Sequence, residues 1–406
     1  MNDKRTPVTA RDLDEWFGAA EVGRLPAGLL PGALVHGPSR RFLTGVGLPF
    51  RAAGLELDAG AVDPWPTLSE ALGEEIPGGG RLLVIGAPVY GDGLLVLDGV
   101  GGTVHLAARC PGPPAEPALD LIATDLSTLV SLLREAAAVR RAAADPPDAA
   151  GRRGPGTVRA VVAEVERRMR ELDRAPFDAE GSAPYWSTFV RAEALRWGAS
   201  RGDGTGLAYD LTPELVAELG EPVRHAAAEL PAGLTHGPTG RLLAEAGLPL
   251  GHRLLQDPPR QLVPLVEADP WRFDEDWDEE EDDRPHQRDF LRIGGWPYDC
   301  EIVLDGRTGR VEVTTGDGEE GWPEAYLNQD LSALLYMCWT VDRIRAEHGR
   351  GPAGPRGGGW RVFDPSALLE GLLEELLTEI DPAAFESEQR PWRGLAEDHH
   401  MGGLLG

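Results

Sequence analysis

Nine carboxylates occupy ten consecutive positions: Asp274, Glu275, Asp276, Asp278, Glu279, Glu280, Glu281, Asp282 and Asp283. Trp277 stands among them and Trp271 just before them. Carboxylates at this density could hold a hard cation, but the twelve-residue calcium loop with its central glycine is absent. Two readings remain. The run is a solvated, self-repelling loop, or it is an acidic arm with aromatic anchors aimed at a basic protein surface. On the second reading Trp271 and residues 274–283 are the candidate partner-binding residues.

The other reactive side chains make no familiar constellation. Cys110, Cys300 and Cys338 are odd in number and scattered, with no CxxC, so neither a disulfide frame nor a zinc ribbon is indicated. No GxxxxGK[ST] loop is present to cradle phosphates, and no HxE pairs with a CxxC as a zinc deaminase requires. His36 and His236 sit in related loops, but no second catalytic group travels with them. No catalytic residue, cofactor or metal is expected, and the chain is expected not to be an enzyme.

The two histidines belong to a longer echo. Residues 34–49 (LVHGPSRRFLTGVGLP) return as residues 234–249 (LTHGPTGRLLAEAGLP), a spacing of 200 (234 − 34). The stretch reads as a short capped helix. Ser39 and Thr239 are placed to cap its start. Phe42, Leu43 and Val46, or Leu242, Leu243 and Ala246, form one apolar face. Gly47 and Gly247 close the helix, and Pro49 and Pro249 forbid its continuation.

The echo continues downstream. VDPW at 62–65 matches ADPW at 268–271. Three strands are predicted in each copy, at 82–86, 94–97 and 103–106, and at 290–294, 301–304 and 310–313. Asp98-Gly99 and Asp305-Gly306 open the last hairpin turn. The aspartates at these turns and at Asp63 and Asp269 suit turn initiation and side-chain bonding to backbone. TDLSTLVSLL then matches QDLSALLYMC, and Leu126, Leu129, Val130 and Leu133, or Leu331, Leu334, Leu335 and Cys338, mark a helix with one buried stripe. Helices at 158–172 and 366–380 lead into matching tails, ELDRAPFDAEGSAPYW and EIDPAAFESEQRPW.

Duplication tests candidate chemistry, since a group the unit needs should appear twice. His105 falls opposite Glu312, Cys110 has no counterpart cysteine, and nothing in the first tail matches His399-His400. A Cys–His nucleophile therefore lacks support. Strands in a meander with flanking helices indicate an α+β fold: two similar domains, each an antiparallel or mixed sheet with helices packed on one side plus a helical tail. The expected order is an N-terminal segment (1–22), domain copy one (23–144), a linker (145–156), helical tail one (157–200) and a linker (201–221). Domain copy two follows (222–348, with the acidic loop at 273–283), then a linker (349–363) and helical tail two (364–406).

Charge narrows the partners. The chain has 406 residues and a net charge of −28. Residues 1–200 carry 21 basic and 26 acidic groups, net −5, so residues 201–406 carry 18 (39 − 21) and 41 (67 − 26), net −23. Such a field repels nucleic acid and disfavours anionic membranes, while favouring a cationic partner. There is no apolar run long enough for a bilayer and no apolar signal segment near Met1, so a cytoplasmic protein is expected.

FLTGVGLP, IVLDGRTGRVE and YLNQDLSALLYMCWTV resemble the SUKH superfamily of bacterial immunity proteins, closest to its SUKH-4 branch. The IDPAAF…PW tail resembles an extension that accompanies that branch. The likeness covers residues 23–200 and 222–406, and copy two fits better than copy one. It implies a tandem pair of α+β domains, each with a curved sheet and packed helices, and no catalytic residues. It also implies a role: neutralising a cognate protein toxin of a polymorphic toxin system by direct binding. Such toxins are often nucleases, and so basic. The competing readings are a tandem peptide- or protein-binding scaffold outside toxin systems and a hydrolase of unknown type.

Overall fold

A computed structural model describes residues 7–91, 93–107, 119–144, 153–178, 185–273, 284–314, 323–350, 365–398 and 403–405. The chain divides into two compact units interleaved in sequence: residues 1–147, 160–194 and 347–371 form the first, and residues 148–159, 195–346 and 372–406 the second. The fold is α+β and the two domains are similar. None of the described helices is long and apolar enough to cross a membrane.

In the first unit, helix α1 (Gly37–Gly45) precedes a six-stranded antiparallel sheet. Its strands, in spatial as in chain order, are β1 (Arg51–Ala52), β2 (Leu55–Leu57), β3 (Leu82–Pro88), β4 (Leu94–Asp98), β5 (Val104–Ala107) and β6 (Leu119–Ala123). Leu95, Val96 and Leu97 are all fully buried, so β4 is covered on both faces and reads as a continuous apolar run rather than an alternation. One face is closed by Leu68 of a short helix, packed with Leu82, Val84, Val96 and Ala107. Helices α2 (Leu126–Ala144), α3 (Pro155–Leu172) and α4 (Tyr185–Glu193) follow. The expected stripe of α2 is buried throughout, at Leu126, Leu129, Val130 and Leu133.

The second unit repeats the plan with helix α5 (Gly237–Glu245) and strands β7 (Leu291–Trp296), β8 (Cys300–Leu304), β9 (Val311–Val313) and β10 (Tyr326–Asn328), again an antiparallel meander. Equivalent bulges interrupt the β3–β4 and β7–β8 pairs, at Val84/Gly86 and at Arg292/Gly294. Helix α6 (Leu331–Arg350) differs from expectation. Residues 331–341 are all buried, not one stripe of them, because this helix is surrounded by the core. Helices α7 (Pro365–Ile380) and α8 (Pro391–Glu397) complete the elements.

Two details of the repeat depart from the sequence reading. Ser39 and Thr239 do not cap. Proline in the first turn fixes the helix start at Gly37 and Gly237, which makes His36 and His236 the N-cap residues. The two hydroxyls are buried one turn later and pair with His36 Nδ1 and His236 Nδ1, both at 2.8 Å. The linker placed at 145–156 ends early, since α3 starts at Pro155. Asp98-Gly99 and Asp305-Gly306 do open the hairpin after β4 or β8, and the left-handed residue of that turn comes later. It is Gly102 or Gly309 (φ 80° and 84°), which hydrogen-bonds back to Asp98 O or Asp305 O. Gly47 and Gly247 do close their helices, with φ of 95° and 83° and N–H groups donating to Phe42 O and Leu242 O.

The tails bind their own domains in matching ways. Buried Asp173 accepts from Thr124 N at 2.7 Å, and buried Asp381 accepts from Gln329 N at 2.8 Å, each ahead of the long helix. Trp186 donates to Ile122 O and Trp392 to Asn328 Oδ1, on the last strand of their respective sheets.

Candidate functional site

On the second unit the end of the sheet forms an open depression of about 380 Å³, lined by Arg284, His286, Arg310, Glu312, Glu324, Ala325, Tyr326 and Arg390. Four segments build it. A single turn of 3-10 helix (Pro285–Gln287) carries His286 with Arg284 just before it, β9 carries Glu312 with Arg310 at its entry, β10 begins at Tyr326, and Arg390 precedes α8.

Glu312 is the pivot. Its side chain is only 2% exposed, so its charge must be met by close donors. Gln287 Nε2 donates to Oε2 at 2.8 Å, His286 Nε2 lies 2.9 Å from the same oxygen, and the Arg310 guanidinium holds Oε1. Arg284 donates to two backbone carbonyls, Val313 O at 2.7 Å and Pro323 O. Arg390 stacks on the Tyr326 ring, 4.7 Å from its centre, and pairs with Glu324 at 3.2 Å. Tyr326 is fixed from behind. Its hydroxyl donates to Asp381, and burial together with that carboxylate pushes its pKa up, so it stays a neutral donor. Asp381 also accepts from Asn328 Nδ2 at 3.0 Å, which ties this wall to the tail.

Among the described residues the lining holds three guanidiniums and two carboxylates, in a chain of net charge −28. Among the described residues that line it there is no serine, threonine or cysteine. Copy one places His105 and Leu121 where copy two has Glu312 and Tyr326. Burial pushes the His105 imidazole down, and it is bonded through Nε2 to Thr103.

Asp274, Glu275, Asp276, Trp277, Asp278, Glu279, Glu280, Glu281, Asp282 and Asp283 lie outside the described residues, as do Cys110, His399 and His400. The backbone of Trp271 lies in a 3-10 turn (Pro270–Phe273). His36 and His236 are tied up structurally. Their backbone N–H groups bond Gly99 O and Gly306 O, and their rings lie under Gly102 and Gly309. Asp98 and Asp305 do what turn aspartates do: Asp98 accepts from Val100 N and Gly101 N, and Asp305 from Arg307 N and Thr308 Oγ1.

One grouping escaped the sequence. Cys338, His252 and Asp342 come together inside the second unit. Burial disfavours the imidazolium, but Cys338 and Asp342 outweigh it and push His252 up to about 10. The Asp342 carboxylate is 3.2 Å from Nε2, an ion-pair distance without hydrogen-bond alignment. Nδ1 opposes that trend, because it accepts from Leu254 N and must be unprotonated to do so. Cys338 has no exposed surface, so no substrate reaches its sulfur in this conformation. Burial also pushes the Cys300 thiol up to about 11, which leaves little thiolate near neutrality. Among the described residues no group of three or more His, Cys, Asp or Glu side chains is placed to hold a metal ion.

Comparison with known proteins bears on both halves. No curated protein and no solved structure matches the chain. A family model described as SUKH-4 immunity protein matches twice, over residues 8–192 and 211–398. These spans take in both repeats, each with its tail, and exceed half of the chain. The chain belongs to the SUKH-4 immunity protein family, as two copies of the domain in tandem.

Proposed function

We propose that this chain is a cytoplasmic immunity protein that binds a cognate protein toxin of a polymorphic toxin system and blocks it by occlusion, without chemistry of its own. The observation that carries the reading is the family match over both repeats. The toxin is basic, and a nuclease is the leading class. The support for this is electrostatic: residues 201–406 hold 41 acidic against 18 basic groups, and a field of that sign steers a cationic partner while repelling nucleic acid. Trp271 and residues 274–283 serve as the acidic arm in this scheme, on the strength of their charge and aromatic content in the sequence.

The test is co-purification of the full chain with the product of the adjacent gene, followed by rescue of a host expressing that product. Stable co-purification with restored growth supports the proposal. A neighbour that is harmless, or one that kills regardless of this chain, overturns it.

A further inference from the structure

The two compact units do not coincide with the two repeats. The family match to the first repeat covers residues 8–192 and so includes 148–159, yet these belong to the second unit. The match to the second repeat covers 211–398 and so includes 347–371, which belong to the first unit. The exchanged stretches are equivalent, since each contains the start of a tail helix, α3 from Pro155 or α7 from Pro365. Within the second unit, Gly154 donates its N–H to Trp197 O at 3.0 Å, and a Cβ on it would come 3.0 Å from Thr212 Oγ1. Arg159 of α3 donates to Glu214 and Glu218 of a short helix (Pro213–Leu219), both at 2.8 Å. Within the first unit, Arg191 donates to Glu347 at 3.1 Å. There too the Tyr90 ring lies against Gly371 of α7, where a Cβ would come 2.1 Å from Cδ1 and 2.4 Å from Cε1 and Cγ.

We infer that the repeats are laced: each gives the start of its tail helix to the unit built mainly from the other, so that neither repeat is complete alone. This is the exchange of an identical element seen in domain swapping, here made within one chain. Pulling the repeats apart would withdraw Val158 from the second unit and Leu368 and Leu369 from the first, all three buried, and would expose apolar surface at each. The ion pairs add little strength, because Arg159 is 63% exposed, but they fix which partners meet. Gly371 is the diagnostic residue. A glycine inside a helix is destabilising relative to alanine, so its presence in α7 needs a reason. The Tyr90 ring supplies it, since no side chain fits beneath that ring. At the equivalent position α3 carries Ala163, counting back from the matched ELD and EID. The lacing stands apart from the proposed function and holds whatever the chain binds.

The test cuts the folded full chain between the repeats, through a protease site inserted between Asp203 and Gly204, both exposed. The two pieces should co-elute on gel filtration and should exchange only slowly with fluorescently labelled cut chain. Gly371→Ala in the uncut chain should lower the melting temperature by about 2 °C or more, although alanine is the better helix former. In the cut chain the same substitution should speed exchange of the pieces by about fivefold or more. In a Tyr90→Ala background it should instead raise the melting temperature, because the ring that penalises a Cβ is gone and the helix preference is left. Pieces that separate on cutting overturn the lacing. So does a Gly371→Ala chain more stable than its parent, or one whose pieces exchange at the parent's rate, since the repeats would then be held by something other than the exchanged helix starts.

Discussion

Single residues carry the clearest marks of duplication. Asp98 and Asp305 stand at equivalent turns, and both have lowered pKa values. Partial burial works against the lowering in each case. It is outweighed at Asp98 by the N–H groups of Gly101 and Val100, and at Asp305 by those of Arg307 and Thr308 with the Thr308 hydroxyl. A carboxylate lowered in the folded state stabilises above its unfolded pKa, and that contribution disappears as pH falls through the folded value. Melting temperature should therefore drop below about pH 4, and Asp98→Asn with Asp305→Asn should flatten that acid limb. An unchanged limb in the double variant would show that other groups set it. Asp381 stands behind the depression and takes three donors, from Gln329, Asn328 and Tyr326, whereas Asp173 is met by Thr124 N and Ala175 N. Asp381→Ala should cost about 3 kcal/mol and Asp173→Ala less, because the first strands more buried donors. Denaturant melts of the two variants would rank them, and the opposite order would count against this bonding. Residue types in the sequence gave the turn aspartates their role correctly. They misassigned Ser39 and Thr239, since a hydroxyl one turn into a helix looks like a cap until the proline's effect on the start is counted.

At the level of elements, the strands and helices of both copies were readable because two versions of each agreed in register. The strands β1, β2, β6 and β10 were not readable. They are short, or they lie beyond the Pro- and Gly-containing stretches 108–118 and 315–322, which separate them from the three strands read in each copy. The buried breadth of α6 was hidden as well, because period alone cannot tell a striped helix from an enclosed one. Each capped-helix loop is locked to its hairpin by a histidine lying against a glycine. A Cβ on Gly102 would come 2.2 Å from His36 Nδ1, and one on Gly309 would come 2.4 Å from His236 Nδ1. Both glycines are also left-handed. Gly102→Ala and Gly309→Ala should each destabilise by about 2 kcal/mol or more, through backbone strain plus displacement of the ring. Hydrogen exchange should show the effect within the altered copy. A silent substitution in either copy would mean that the loop yields freely there. The depression was illegible for a different reason. Arg284, Arg310, Glu312 and Arg390 span more than a hundred positions, and folding alone brings them together. One signal was present: Glu312 faces a histidine in the other copy, which is where a specialised site would break the repeat.

Over the whole molecule, charge is the property that acts at a distance. With residues 201–406 at net −23, association with a basic toxin should be fast at low ionic strength and fall steeply as salt is added. Replacing the nine carboxylates of 274–283 by Ser or Asn should slow association by about tenfold or more and leave dissociation nearly unchanged. Stopped-flow mixing resolves the two rates, and unaltered association would remove the arm from the mechanism. The most direct measurement is a titration of the purified chain into the purified product of its neighbouring gene, following the toxic activity itself. Occlusion predicts that activity falls in linear proportion to added chain, vanishes at stoichiometric equivalence, and returns undamaged when the complex is separated. Inhibition that accumulates with time at substoichiometric amounts, or activity indifferent to excess chain, would contradict an account built on binding alone.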